Sequence, residues 1–416
     1  MSDAAGTDAT SIAPISGGPL RGVRVVDVTT TFMGPYCTRQ MARMGADVIK
    51  VEEPSGDVVR GIMDPAGRGL GPIFLAANQG KRSIALDLKD PRGRETLLQL
   101  IATADVFITN MRPTALERLR LSVETVHEAN PRCIVASLVG FGPGGPYAGL
   151  AAYDDVIQAI SGMAATQGAG GSPEYVRSAV ADKVVGLMAL NAILAALHER
   201  DLTGTGTVVT VPMFETMADF TLLDHQGGRV YEPPTGPTGY SRLLSPYRRP
   251  YATTDGYLAV VVYTDRMWLS FFDLIGQPDL AENPRYRTIT DRTRNIDELY
   301  QLVETQLATN SSEYWLETLA AAGIPAVRVL DLDGVLADEH LAAVGFFERV
   351  EHPVAGSLRL SRDPVSFSDH VPPELRPAPL LGQHSREVAL EAGFTAAEVD
   401  ELLALHVLIE PQGGGA

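Results

Sequence analysis

The sequence predicts an α/β fold in which a large Rossmann-like domain with a parallel sheet is joined to a smaller α+β domain. Short β-branched runs alternate with helical stretches from Leu20 to about Leu138, which is typical of a parallel α/β sheet. The chain has 416 residues, which is more than one simple domain needs. Since 45% of the residues are hydrophobic, the chain can fill a large core. Between about His225 and Arg249 the composition shifts to Gly, Pro and Tyr, which indicates a linker.

Strands and helices are predicted in alternation along the first domain. The strands are expected at residues 23–28, 48–51, 83–86, 106–109 and 134–138. Gly34 and Pro35 open a helix that runs to Met44, because proline at the first helical position loses no hydrogen bond and Gly45 is a typical terminator. Further helices are expected to begin near Pro91 and Pro113.

The second half is predicted to be more helical before the linker. A helical region starts around Asp155, a longer apolar helix covers residues 183–200, and a strand follows at 207–211. The predicted divisions are a disordered tail (1–18), the large domain (19–225), the linker (226–250), the small domain (251–336), a mixed segment (337–410) and a flexible end (411–416).

Bulk charge and composition exclude several classes of function. A formal net charge of -17 argues against nucleic-acid binding, which needs clustered cations. All four lysines lie in the first half, so cations for a phosphate-bearing ligand are expected to be mostly N-terminal. Cys37 and Cys133 lack a C-x-x-C partner, which fits a reducing compartment. The first eighteen residues do not resemble a signal peptide, and no stretch reads as long and uninterrupted enough to span a bilayer. A cytoplasmic protein without a membrane partner is predicted.

A G-x-G-x-x-G motif formed by Gly140, Gly142 and Gly145 follows a predicted strand and matches a dinucleotide fingerprint. Pro143 and Pro146 break the helix that must begin there to face a pyrophosphate. A glycine-rich loop is therefore the preferred interpretation. The sequence has no Walker loop and no histidine or cysteine cluster with metal-ligand spacing, so no metal is expected.

Asp182 precedes the long apolar helix, and two roles fit that position. Aspartate is favoured as an N-cap, where it accepts the first amide hydrogens of a helix. The same amides and the positive end of the helix dipole would keep the carboxylate ionised, and an ionised carboxylate can attack an activated carbonyl. Position alone does not decide between a structural cap and a nucleophile.

Six segments, in order and at matching spacing, resemble one known family. They are LRGVRVVDVTTTFMGPYCTRQMARMGADVIKVEEPSGD, NQGKRSIALDLKDPRGR, ADVFITNMRPTALERL, AAYDDVIQAISG, ADKVVGLMALNAILAALHERDLTGTGTVVTVPMFE and APLLGQH. The chain is similar over nearly its whole length, from Pro19 to Val407, to the family III CoA-transferases, a superfamily that also includes α-methylacyl-CoA racemase. The resemblance implies an interlocked, ring-like homodimer in which residues 337–410 return to the large domain.

The resemblance also implies the site. Asp182 matches the family's catalytic aspartate. Tyr153 matches a tyrosine that lies against CoA in the transferases, where racemases carry a histidine. The CoA-lining stretches of the family match Leu86, Lys89, Asn110, Met111, Arg112 and Arg118. Coenzyme A or an acyl-CoA would be a substrate, with a carboxylic acid as acceptor and no tightly bound cofactor.

Three departures from the family pattern bear on the acyl group. Phe32 stands where oxalate-specific members carry a glutamine, Glu53 replaces a CoA-contacting arginine, and Val139 replaces a CoA-contacting lysine. The glycine-only loop of the oxalate enzymes has no counterpart either, since TGPTGYSRLLSPY occupies its region. Formyl-CoA and oxalate are therefore not the expected substrates, and a larger or more apolar acyl group is preferred.

Transfer of CoA through an aspartyl anhydride on Asp182 is the first hypothesis. Racemisation at the carbon next to a thioester is the second; it needs another acid/base group, for which Tyr153 is a poor choice with a reference pKa of about 10, while Asp154 or Asp155 could serve. A non-catalytic CoA-ester binding protein is the third.

Overall fold

The fold was analysed in a computed structural model that describes residues 15–168 and 171–411. It divides into two compact units. Within the described ranges the larger unit comprises residues 15–157, 178–217 and 344–411, and the smaller comprises 158–168, 171–177 and 218–343. The chain therefore leaves the larger unit and returns to it near its C-terminus.

Within the described residues the strands are β1 (Ile15–Ser16), β2 (Arg24–Asp27), β3 (Asp47–Glu52), β4 (Arg82–Leu86), β5 (Val106–Thr109), β6 (Ile134–Val139), β7 (Val208–Pro212), β8 (Tyr251–Ala252), β9 (Tyr257–Val260), β10 (Ala326–Arg328), β11 (Phe347–His352), β12 (Gly356–Ser361), β13 (His370–Val371) and β14 (Leu408–Ile409). The first five strands predicted for the large domain are confirmed as β2 to β6, with ends that shift by at most one residue.

The helices of the described chain are α1 (Met33–Arg43), α2 (Pro72–Ala77), α3 (Pro91–Ala102), α4 (Pro113–Arg118), α5 (Val123–Ala129), α6 (Asp154–Ile160), α7 (Met163–Gln167), α8 (Val180–Thr203), α9 (Met213–His225), α10 (Ser241–Leu244), α11 (Asp265–Leu274), α12 (Ile289–Arg294), α13 (Ile296–Leu307), α14 (Ser312–Ala321), α15 (Leu332–Leu336), α16 (Glu339–Ala343), α17 (Ser385–Glu391) and α18 (Ala396–Ala404). Pro91 and Pro113 begin their helices as predicted, and Gly45 takes a φ of 96° just after α1.

A seven-stranded sheet forms the centre of the larger unit, in the order β14-β4-β3-β2-β5-β6-β7. All neighbours pair in parallel except β14, which runs antiparallel to β4. The strands are rich in buried Val and Ile, because helices on both faces remove them from water. The predicted parallel sheet is confirmed, and its edge strand β14 comes from the returning segment.

The smaller unit has a three-stranded antiparallel sheet, β10-β9-β8, packed with helices around Trp268, Phe271, Leu299 and Trp315. Its limits differ from the predicted domain limits. Residues 158–168 and 171–177 belong to this unit, although the sequence assigned them to the large domain. The larger unit ends at residue 217, inside α9, whereas the sequence predicted its end at residue 225. A composition shift marks loops, whereas packing decides where a unit ends.

Residues 1–14 of the predicted tail (1–18) and residues 412–416 of the predicted flexible end (411–416) lie outside the described residues. Ile15 and Ser16 were expected to be disordered, but they form a strand that pairs in parallel with His370 and Val371. Their backbone groups thus have hydrogen-bonding partners that the local composition did not indicate.

Helix α8 is long and apolar enough, by length and composition alone, to cross a membrane, contrary to the sequence prediction. In the larger unit it packs against α1 and against β6 and β7. Gly186 allows the approach to α1, because a Cβ there would lie 2.7 Å from the carbonyl oxygen of Met33. Its apolar composition is thus accounted for in part by packing on the sheet.

Two of the lysines expected to serve a phosphate ligand are instead buried in ion pairs beneath the β2–α1 turn. Lys50 Nζ lies 3.0 Å from Asp57, and Lys81 Nζ lies 3.1 Å from Asp27, with all four side chains fully buried. Burial alone would raise the pKa of Asp27, but the charges of Lys81 and Lys50 lower it to about 2. These cations stabilise the turn and are not available to a ligand.

Candidate active site

The direction of the chain connections reverses between β2 and β5, which are neighbours at the centre of the sheet. In open α/β sheets, ligands bind at the carboxyl ends of the strands that flank such a reversal. Here the loops after the two strands are joined: Thr30 N–H donates to Asn110 Oδ1 at 3.1 Å, and Asn110 Nδ2 donates to the Thr30 carbonyl at 3.0 Å. This point of the fold is therefore the first place to look for a site.

A cleft of about 670 Å³ opens there, within the larger unit. Its walls come from the β2–α1 turn, the loop after β5, the glycine-rich loop after β6, and the starts of α6 and α8. Of the predicted site residues, five line this cleft: Asn110, Met111, Arg112, Tyr153 and Asp182. The cleft is of the size that binds small organic ligands.

Asp182 is not an N-cap, contrary to the first interpretation from sequence. Helix α8 begins at Val180, its N-cap is Ala179 without a side-chain hydrogen bond, and Asp182 is the third helical residue. The Asp182 backbone N–H donates to Asp154 Oδ2 at 3.1 Å, so the capping carboxylate comes from α6 instead. The Asp182 side chain is consequently not needed as the cap.

Burial raises the pKa of Asp182 to about 7; the negative charge of Asp154 adds to the rise, and Lys183 opposes it. The helix terminus therefore does not keep this carboxylate fully ionised at neutral pH, contrary to the expectation from sequence. A helix terminus contributes about 0.3–1 kcal/mol toward ionisation. The rise from 3.8 to about 7 corresponds to roughly 4 kcal/mol against it. Near pH 7 the carboxyl group is divided between its two protonation states.

Tyr153 borders the cleft one residue before α6 and is 71% exposed. Arg112 is exposed at the N-cap position of α4, so its guanidinium can reach a negatively charged ligand in the cleft. Asn110 is tied to the β2–α1 turn, and Met111 packs partly on the core. These four residues supply an aromatic face, a cation, an amide and an apolar contact around Asp182.

The other three predicted site residues do not line the cleft. Leu86 is fully buried in the hydrophobic core at the end of β4. Lys89 is exposed in the following turn, with its backbone N–H bonded to Asp87, and Arg118 is exposed at the end of α4. For these positions the resemblance remains a prediction.

Two of the three departures from the family pattern fall on the cleft. Phe32 and Val139 line it, whereas Glu53 is exposed and does not. Phe32 is partly buried against Val59, Phe74 and their neighbours, which fixes an aromatic side chain at the wall near α1. The cleft therefore has an apolar side close to the start of that helix.

Sequence reasoning missed the residues that hold the β2–α1 turn. Thr31 has a φ of 74°, which is uncommon for a residue with a branched Cβ. Its N–H donates to both carboxylate oxygens of Asp57 at 3.2 Å, and Lys50 Nζ in turn donates to Asp57 and to the Thr29 carbonyl. Asp57 also caps the short 3-10 helix Val58–Arg60 by accepting a hydrogen bond from the Val59 N–H, which is a local contact, whereas its contact with Thr31 is a tertiary one.

Known proteins resemble this chain in sequence and in fold. The sequence model of CoA-transferase family III matches residues 20–385. A formyl-CoA:oxalate CoA-transferase of Rhodopseudomonas palustris is 33% identical over 92% of this chain and 96% of its own length. A succinyl-CoA:glutarate CoA-transferase of Homo sapiens is 30% identical over 94% of this chain and 90% of its own. The crystal structure of a CAIB/BAIF family protein from Brucella suis superimposes with a TM-score of 0.77, at 30% identity, over 90% of this chain and all of that one. The chain belongs to CoA-transferase family III.

Proposed function

We propose that this enzyme moves coenzyme A between two carboxylic acids and that Asp182 is the nucleophile. The observation that carries the proposal is a partly buried carboxyl group in the cleft at the reversal point of the sheet, with a pKa raised to about 7. A carboxylate of that basicity is a better nucleophile than an exposed one and is still substantially ionised at neutral pH.

The reaction proceeds by four displacements that need no net proton transfer. An Asp182 oxygen attacks the donor thioester carbonyl; the C–S bond breaks and CoA thiolate leaves, giving a mixed anhydride. The thiolate attacks the Asp182 carbonyl carbon and expels the donor acid as its carboxylate, giving an aspartyl-CoA thioester. The acceptor carboxylate then attacks this thioester, releases the thiolate and forms a second anhydride. Attack of the thiolate on the acceptor carbonyl yields the new acyl-CoA and restores Asp182.

The groups around Asp182 suit a CoA ester. Arg112 provides a forked cation for a phosphate oxygen, and Tyr153 offers an exposed ring for apolar contact. Backbone amides of the glycine-rich loop after β6 are candidates for stabilising the oxyanions, although that of Gly142 already donates to Glu215 Oε1 at 2.9 Å.

The preferred acyl group is larger or more apolar than formyl or oxalyl. Phe32 supports this preference, since an aromatic side chain in the cleft wall leaves no amide to bond a compact polar acyl group. A screen of acyl-CoA donors against acceptor acids, with the CoA product identified by mass, tests it. Faster turnover of formyl-CoA and oxalate than of longer acids would reject it.

An interlocked homodimer is part of the proposal. The return of residues 344–411 to the larger unit fits this plan, and several large apolar side chains, among them Met63, Leu223 and Leu332, are exposed in the single chain. Sedimentation or light scattering should give twice the chain mass at micromolar concentration; a monomer there would contradict it.

Trapping of the covalent intermediate tests the nucleophile directly. The enzyme is incubated with an acyl-CoA that it turns over, and hydroxylamine is added, which converts an aspartyl anhydride or thioester to a hydroxamate. Peptide mass spectrometry should find the modification on Asp182, and Asp182→Asn should show none. A productive donor that leaves Asp182 unmodified, or a mark that persists in the variant, would reject the mechanism.

Proton transfer at the carbon next to the thioester is the second candidate, and one contact favours it. Asp154 lies against the start of α8, so two carboxyl groups border the same region. Incorporation of solvent deuterium into a 2-methylacyl-CoA without any acceptor acid would support a racemase. Its absence in an enzyme that transfers CoA would exclude one.

A further inference from the structure

The smaller unit contains a separate cavity of about 230 Å³. It lies where the segment before β8, the strand β9 and the helix α13 meet. Five side chains with polar ends border it, namely Arg242, Arg248, Arg249, Tyr251 and Tyr300. None of them belongs to the site assigned above, so the cavity calls for its own explanation.

Two of the three arginines at this cavity, Arg242 and Arg248, are not neutralised by a carboxylate among the described residues. Neither Arg242 nor Arg248 forms an ion pair with any residue that the structure describes. Arg249, next in the chain and also at the rim, differs: its guanidinium pairs with Glu304 at 2.7 Å. The Arg242 guanidinium lies 4.8 Å from the ring centre of Tyr263, which holds the side chain without cancelling its charge. Two positive charges therefore act on the cavity.

Two phenol groups face these cations. Tyr251 and Tyr300 are only 3% and 6% exposed, and their rings are buried. Burial raises the pKa of both phenols, and the charges of Arg242 and Arg248 act on each in the opposite direction. Both hydroxyls thus stay protonated at neutral pH and can donate hydrogen bonds.

The remaining wall is apolar. Val260, Val262 and Val303 border the cavity and pack in the hydrophobic core of the smaller unit. A ligand that only carried charge would leave these surfaces against water, whereas a short hydrocarbon chain would cover them. The volume suits a molecule of a few carbon atoms.

We propose that this cavity is a binding site for a short-chain carboxylate, with the carboxylate on Arg242 and Arg248, hydrogen bonds from Tyr251 and Tyr300, and the alkyl chain against the valines. Guanidinium groups match the two oxygens of a carboxylate, and a phenol hydroxyl adds a neutral donor. The inference does not depend on the proposed CoA transfer, because binding alone is at issue.

Chemical protection of the arginines tests the site residue by residue. The full-length protein is treated with phenylglyoxal, which modifies accessible arginines, in the presence of butyrate or of butyramide, its neutral counterpart. Mass spectrometry of peptides spanning residues 240–250 locates the adducts. Butyrate at 10 mM should slow modification of Arg242 and Arg248 by at least threefold, while butyramide protects neither, and Arg249 should react at the same rate throughout. Equal protection of all three arginines, or of none, would overturn the proposal.

Variants and a second anion refine the test. The double substitution Arg242→Gln and Arg248→Gln should weaken butyrate binding by at least tenfold in titration calorimetry, whereas Arg249→Gln should change it less than twofold. Tyr300→Phe keeps the ring and should weaken binding about threefold to tenfold through the lost hydrogen bond. Inorganic phosphate should protect the arginines less well than butyrate at equal concentration. Protection by phosphate that equals or exceeds it would assign the cavity to phosphate groups and reject the carboxylate. A positive trapping result on Asp182 with no protection here would reject this inference alone.

Discussion

Substitution of Asp154 by asparagine should change the pH dependence of catalysis in a defined direction. Asp154 is the second cause of the raised pKa of Asp182, after burial. Asparagine has nearly the same size, and its side-chain oxygen can still accept the Asp182 N–H, which now lies 3.1 Å from the carboxylate. The substitution thus removes a negative charge while leaving the start of α8 capped.

The size of the effect follows from the order of the causes. Burial is the larger cause of the rise, so in the variant the pKa of Asp182 should fall below about 7 but should not return to 3.8. With a pKa of about 7, roughly one tenth of Asp182 is ionised at pH 6 and nine tenths at pH 8. The ratio of kcat/KM at pH 8 to that at pH 6 should therefore be about 10 in the natural enzyme and clearly smaller in the variant, because more of the variant's Asp182 is already ionised at pH 6.

The assay is steady-state CoA transfer between pH 5.5 and 8.5, fitted for the acidic limb of kcat/KM. Using the ratio removes any uniform loss of activity that the substitution causes. Asp155→Asn is the matched control, since Asp155 is exposed on the same helix and is not among the causes of the shift. An acidic limb that does not move in Asp154→Asn, or that moves equally in Asp155→Asn, would refute the coupling of the two carboxyl groups.

Three further predictions concern the ligand cation, the nucleophile and the turn beside it. Arg112→Ala should raise the KM for acyl-CoA about tenfold in an initial-rate assay through loss of a charge-assisted hydrogen bond, and an unchanged KM would contradict its contact with the ligand. Asp182→Asn should abolish transfer, yet it should raise the free energy of unfolding, measured in urea at pH 8, by about 1–3 kcal/mol. Because the pKa of the Asp182 carboxyl group is raised by folding, this group destabilises the folded state increasingly as the pH rises toward 7. The gain from the substitution should therefore be smaller at pH 5 than at pH 8. Gly34→Ala should lower the urea midpoint and the activity together, because the added Cβ would overlap the Thr29 side chain, and an unchanged midpoint would contradict that packing.

Local rules predicted much of the fold. Runs of Val and Ile located five strands of the sheet, and the prolines at 91 and 113 located two helix starts, because strand periodicity and the missing proline N–H act within a few residues. The limits of the smaller unit and the edge strand β14 were not predictable in this way. They depend on contacts between segments that are far apart in sequence, such as Leu408 beside Leu86.

The sequence by itself determined the family, the parallel sheet and Asp182 as the candidate nucleophile, through ordered motifs and short-range periodicity. Only the tertiary structure decided which predicted residues share a cleft. It also placed Lys50 and Lys81 in buried ion pairs and raised the pKa of Asp182 by burying its carboxyl group. The physical reason is the same in each case. Desolvation and charge coupling depend on what surrounds a side chain in space, and for Asp182 burial outweighs the helix terminus that the local sequence emphasised.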